Sequence, residues 1–185
     1  CWGAAFNGKL GNGKASPHTQ DMGSDLPFVD LGTGKTAKKI ATGTNHVCAI
    51  LNDDTQKCWG DGLYGQLGYE NTDDIGDAAG EMGDDLLPVN VGTGRTVKDV
   101  SCGSESTCAI LDDDSVKCWG RARLGQLGNG DDQNDVGKSA GTMGDNLAAI
   151  NLGTGRTAKQ VDIFATTACA VLDDDTLKCW GSGNS

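Results

Sequence analysis

The sequence Cys-Trp-Gly occurs four times in this 185-residue chain, at Cys1, Cys58, Cys118 and Cys179, with spacings of 57, 60 and 61 residues. A period of that size defines an array of supersecondary units, each too small to close a core by itself, so neighbours must stack. The units read as 1–57, 58–117 and 118–178, with 179–185 beginning another, all in one array. The first opens at the end of a preceding repeat. The sequence starts inside a strand motif and shows no initiator Met, signal peptide or transmembrane stretch, so it reads as a processed or partial piece of something longer.

Six of the eight cysteines form three pairs ten residues apart: Cys48 and Cys58, Cys108 and Cys118, Cys169 and Cys179. Each pair brackets apolar residues around an Asp cluster, as in Cys-Ala-Ile-Leu-Asn-Asp-Asp-Thr-Gln-Lys-Cys from Cys48. That pattern is a hairpin signal. Folding about Asp53 sets Leu51 opposite Thr55, Ile50 opposite Gln56 and Cys48 opposite Cys58. Opposed strand residues have Cβ atoms roughly 4.5–5.5 Å apart, and a disulfide needs roughly 3.5–4.5 Å, so a small adjustment closes the bond. Three cross-strand disulfides are therefore expected, one per repeat. Zinc is the competing use of paired cysteines, but it takes four ligands, and His18 and His46 are not repeated. Disulfides imply an oxidising compartment, so an extracellular or cell-surface location is expected. Cys1 and Cys102 are left over, either unpaired, joined to each other or intermolecular.

The rest of the period is turn chemistry. Each Cys-Trp-Gly is followed by four variable residues and Gly-(Gln/Lys)-Leu-Gly, at Gly8, Gly65 and Gly125. An acidic, Gly-rich loop then ends in a Met-Gly motif at Met22, Met82 and Met143. A short apolar run, a Gly-Thr-Gly-(Lys/Arg)-Thr turn and another strand-like run lead back to the hairpin. About four short strands per unit, in an all-β chain, suggest an antiparallel propeller blade. Alternation agrees: Cys48, Ile50 and Cys58 fall on one face, Ala49, Leu51 and Trp59 on the other. Both faces are apolar, so both should be covered.

The motif Cys-Ala-Ile-Leu…Lys-Cys-Trp-Gly, four residues, Gly-Gln-Leu-Gly resembles the regulator of chromosome condensation repeat family, most nearly its cysteine-containing secreted variety. The resemblance implies β-propeller blades, seven to a ring in known members. Three repeats make an incomplete ring or part of a larger array. It also implies protein partners, since relatives act as exchange factors for a small GTPase or as protein inhibitors of a β-lactamase.

Candidate sites follow from the same period. The hairpin tips (Asp53-Asp54, Asp112 to Asp114, Asp173 to Asp175) read as turn-forming Asp bonding its own backbone. Calcium, which takes six to eight oxygen ligands, is the other use of such clusters. The long loops are the better candidates for it: Asp73, Asp74, Asp77, Asp84, Asp85, Asp131, Asp132 and Asp135. Gly92-Thr93-Gly94-Arg95-Thr96 lacks the spacing of a phosphate loop and reads as a tight turn. Trp2, Trp59, Trp119 and Trp180 read as core packing rather than a sugar platform, and the three Met residues as loop anchors. No nucleophile-base-acid set stands out, no catalytic residue is expected, and no cofactor beyond calcium suggests itself. A net charge of −11 argues against nucleic acid and anionic membranes. Membrane insertion and a small-molecule ligand are not expected. The reading that follows is a non-enzymatic extracellular structural or interaction protein, a segment of a surface assembly or filament. The alternative is part of a closed seven-bladed propeller gripping a protein through its loops.

Overall fold

The computed structural model describes residues 1–4, 6–14 and 23–182. Its regular structure is three antiparallel sheets of three strands. The first holds β1 (Ala37–Thr42), β2 (His46–Leu51) and β3 (Gln56–Gly60). The second holds β4 (Val97–Cys102), β5 (Ser106–Leu111) and β6 (Val116–Gly120). The third holds β7 (Ala158–Phe164), β8 (Thr167–Leu172) and β9 (Leu177–Gly181). Each sheet is a meander, and each first strand shifts register at the same place: Ala37/Lys39, Val97/Asp99 and Ala158/Gln160. A boundary placed at Cys58 lies inside β3, so the structural unit is offset from the Cys-Trp-Gly period.

The hairpin register is the one the Asp cluster dictates. Cys48 faces Cys58, Ile50 faces Gln56, and the Leu51 amide donates to the Thr55 carbonyl at 2.8 Å. The tip residues Asp54, Asp114 and Asp175 carry φ of 63°, 64° and 64°, a left-handed conformation that Asp tolerates better than most residues.

Among the described residues a fourth strand per unit is not formed. The run Val89 to Val91 makes a single ladder-like bond, Val89 N to Gln56 O at 2.7 Å, and its counterpart Ile150 bonds Val116 O in the same way. Pro88 has no amide to donate, although Ala149 holds that position in the third blade. These runs contribute side chains instead: Val89, Val91, Ile150 and Leu152 are buried.

The sheets stack face to face. Cys48, Ile50 and Cys58 of the first sheet share a core with Val97, Val100, Ala109, Leu111 and Trp119 of the second. Cys108, Ile110 and Cys118 of the second meet Ala158, Val161, Ala170 and Leu172 of the third. The cysteine face of each blade thus covers the tryptophan face of the next, which is why both faces are apolar. Hydrogen bonds stitch the junctions: Val97 N donates to Asp54 O at 2.9 Å and Ala158 N to Asp114 O at 3.0 Å. Among the described residues the two outer faces are less covered than the junctions. Ile40 is 62% exposed where its counterparts Val100 and Val161 are 3% exposed, and Leu177 is 63% exposed where Val116 is fully buried.

Candidate functional site

The structure joins Cys48 to Cys58, Cys108 to Cys118 and Cys169 to Cys179, with Cα atoms 4.1, 4.1 and 4.0 Å apart. The first two bonds are wholly buried in blade junctions, whereas Cys179 is exposed on the outer face of the third blade. Cys1 is free and exposed; Cys102 is free but buried. Cys102 is thus unpaired within the chain, buried in the first junction beside Cys48.

The tryptophans are junction residues. Nε1 of Trp59, Trp119 and Trp180 donates to Lys9 O, Gln66 O and Gln126 O at 3.2, 3.0 and 3.0 Å. Each indole thus seats on the Gly-(Gln/Lys)-Leu-Gly turn of the preceding repeat. Gly68 (φ +80°) explains that turn's second glycine: a Cβ there would lie 2.8 Å from Val89 and 2.9 Å from the Trp119 nitrogen. Trp2 is 60% exposed, so the core reading does not extend to it. Met143 is buried in the first junction and Met82 packs beside Trp59, both anchoring loops; Met22 lies outside the described residues.

The lysine before each second cysteine is a feature the sequence pattern displays but whose role only the structure reveals. Lys57 Nζ donates to Leu31 O and Gly83 O at 2.9 and 2.8 Å, and Lys117 Nζ to Val91 O and Gly144 O at 2.9 Å each. Burial pulls both ammonium groups below the usual lysine range. They cross-brace the apolar run and the Met-Gly loop. The Gly-Thr-Gly turns are braced from the same loop: Asp84 accepts from Thr33 N and Oγ1 at 2.8 and 2.6 Å, and Asp145 accepts from Thr93 in the same way. These bonds pull both carboxyls below the usual range.

The tip carboxylates are occupied locally. Asp53, Asp113 and Asp174 accept from the hydroxyl of Thr55, Ser115 and Thr176 at 2.7, 2.6 and 2.6 Å. Lys35 ion-pairs with Asp53, Arg95 with Asp112 and Asp113, and Arg156 with Asp173 and Asp174. The Lys35 hydrogen bond, then that of Thr55, lowers Asp53 to about 2. Each basic residue comes from the Gly-Thr-Gly turn, so turn and tip are one structural unit.

The calcium candidates divide between two loops. Asp73, Asp74, Asp77 and Glu81 line one cleft of about 590 Å³ with Asn7 and Asp61. Two of its carboxylates are occupied locally: Asp74 accepts from Gly62 N and the Asn7 side-chain amide, and Glu81 Oε2 accepts from the backbone amides of Gly76, Asp77 and Ala78. Desolvation, then Glu81, raises Asp77. In the other loop Asp131 accepts from Gln133 N and from Asn134 Nδ2, Asp132 from Gln133 Nε2, and Asp135 from Ala122 N. Among the described residues these carboxylates do not converge as a metal-ligand group. The three side chains that do converge are His46, Cys48 and Cys102, with one ligand atom from each within 4.8 Å of the others. His46, isolated in the sequence, is thus not isolated in the fold; His18 lies outside the described residues.

Residues 37–66 and 97–126 match one profile of the regulator of chromosome condensation (RCC1) repeat, and residues 58–110 match a second. This chain is built of RCC1 repeats. Over 132 residues, 70% of its length, it is 33% identical to the ultraviolet-B receptor UVR8 of Arabidopsis thaliana. Over 134 residues, again 70% of its length, it is 33% identical to the human E3 ubiquitin-protein ligase HERC2. The chain spans 27% of the first relative and 2% of the second. Among solved structures it is similar to Prp20p of Saccharomyces cerevisiae, at TM-score 0.69 and 16% identity, covering 100% of this chain and 41% of that one. Human WBSCR16 aligns at TM-score 0.67 and 20% identity, covering 97% and 42%. The RCC1-repeat fold is all-β, and here its blades form an open stack. In these repeats the shared residues, Trp, Lys, Gly and the paired Cys, are junction-builders.

Proposed function

We propose that this RCC1-repeat chain is a non-enzymatic interaction protein of an oxidising, extracellular or cell-surface setting, serving as a disulfide-stapled segment of a surface assembly or filament. The observation that carries the location is the staple itself: one cross-strand disulfide in every blade, two of them wholly buried. Disulfides used this regularly belong to oxidising compartments. The assembly reading rests on the two outer faces. Ile40 on one and Leu177 on the other are exposed, yet their counterparts are buried at junctions. The two faces are complementary in kind, and a further repeat, from a longer chain or a second copy, fits either.

A protein partner is favoured over nucleic acid by the net charge of −11. It is also favoured by relatives. Prp20p is described with binding properties to Gsp1p and histones, and yeast RCC1 has been crystallised with Kap60. The second reading, a part of a closed seven-bladed ring that grips a protein through its loops, draws on the same relatives.

Two measurements test this. Thiol titration of freshly isolated, denatured protein should find two free thiols, Cys1 and Cys102; eight would overturn the extracellular reading. Electron microscopy of native material should show fibres or extended polymers, whereas discrete rings of about seven blades would establish the second reading instead.

A further inference from the structure

Three residues break the repeat at one place. His46 stands where the sibling blades have Ser106 and Thr167, Cys102 where they have Thr42 and Ile163, and Thr107 where they have Val47 and Ala168. All three are buried, and all three meet in the first junction. Residues that serve only the fold recur with the period; these do not.

Their contacts define a small polar cluster against the staple. Thr107 Oγ1 donates its one proton to Gln66 O at 2.8 Å, so it must accept from His46 Nε2–H, 2.9 Å away. His46 is thereby fixed as the Nε2–H tautomer, with the Nδ1 lone pair buried and without a hydrogen-bond partner. The Cys102 and Cys48 sulfurs lie within 4.8 Å of each other. Cys48 Sγ is already bonded to Cys58, which leaves only His46 and Cys102 as metal donors, fewer than a zinc site takes. A free thiol packed against a disulfide has a different chemistry open to it.

We propose that Cys102 is an exchange nucleophile for the Cys48–Cys58 staple, converting a bond within the first blade into one between the first and second blades. The Cys102 thiolate attacks Cys48 Sγ. The Cys102–Cys48 bond forms as Cys48–Cys58 breaks, and the electron pair leaves on Cys58. The proton given up by Cys102 is regained at Cys58. No net oxidation occurs and no other reagent is consumed. The product ties β2 to β4, closes a loop of far greater length, and frees a thiol at Cys58. The second staple meets Ile163 where the first meets Cys102, and among the described residues no cysteine packs on the third, so both serve as internal controls.

The fold also sets the rate. Burial pushes the Cys102 thiol up to about 12, so the thiolate is scarce at neutral pH and exchange should accelerate about tenfold per pH unit as it titrates. Access comes from a cleft of about 310 Å³ lined by Thr42, Gly43, Cys102, Gly103 and Ser104.

The test is disulfide mapping of the native chain, alkylated after incubation at pH 7 and at about pH 9 and digested without reductant by trypsin and a Glu-specific protease, which separates Cys102 from Cys108 at Glu105. The expected result is a growing peptide pair linking Cys102 to Cys48, with alkylation moving from Cys102 to Cys58 and the other two staples intact. Persistence of Cys48–Cys58 with Cys102 as the alkylated thiol throughout would overturn the proposal. So would equal scrambling of all three staples, which reports global unfolding. Cys58→Ser isolates geometry from ionisation: mild oxidation should join Cys48 to Cys102 in that variant, and failure to do so also sinks the idea.

Discussion

His46 is buried without a charge partner, and burial alone lowers its pKa from 6.5 to about 4. The neutral ring is the form the junction accepts. The unfolded chain therefore binds a proton that the folded chain does not, between those two values. Its contribution to stability is fully present above pH 6.5, lost as the pH falls toward 4, and flat below that. A shift of this size corresponds to about 3 kcal/mol across the window. Urea midpoints measured from pH 7 to pH 4 should fall accordingly, and His46→Ser, the second blade's residue, should flatten that slope. The Asp53 carboxyl, lowered to about 2 by Lys35 and Thr55, contributes in a separate window: its stabilisation is present above 3.8 and lost below. Neither effect is legible in the sequence. A histidine near a cysteine can be exposed, ligating or buried, and only the second blade packing over it decides which.

The hairpin was legible because it is local. Asp-rich tips, apolar flanks and cysteines ten apart fix the register with no knowledge of the rest of the chain. The extended run before each Gly-Thr-Gly turn reads as a strand yet forms no ladder, because apolar character is shared by ladder residues and by residues that merely plug a junction. The lysine braces sit between these cases: the Lys recurs visibly, but its two carbonyl acceptors lie 26 or 27 residues away. Lys117→Met should cost about 2–3 kcal/mol in thermal or urea unfolding, since it leaves two buried carbonyls without a charged donor. Lys178, more exposed and bonded only to Leu152 O at 2.8 Å among the described residues, should cost distinctly less on the same change. Equal costs would mean that the brace is not what the position contributes.

For the whole molecule, stability is a sum over blades and junctions, as in other stacked repeats. Ile40, Val100 and Val161 are equivalent positions in three environments, one open and two closed. Val100→Ala and Val161→Ala should each destabilise by about 2–3 kcal/mol through lost burial and a residual cavity. Ile40→Ala should stay within about 0.5 kcal/mol if the first face is open in solution. A large, concentration-dependent cost at Ile40 would instead show that another copy covers it, which is what the assembly reading requires. The exposed pairs between Gly-Thr-Gly turns and hairpin tips add little to this sum, because water and salt screen them.

What the sequence determined by itself was everything periodic: the number of units, the cysteine pairing, the hairpin register, and the need to cover both faces of each sheet. These follow from spacing and alternation, which are properties of a chain and its nearest neighbours along it. What only the tertiary structure decided was the placement of residues that depart from the period. His46, Cys102 and Thr107 are 61 or fewer residues apart and carry no shared motif, yet stacking the second blade on the first brings them together beside one disulfide. Stacking also determined that the acidic loops bond backbone amides and hydroxyls, since the groups that satisfy Asp84 and Asp145 belong to the turn of the repeat before.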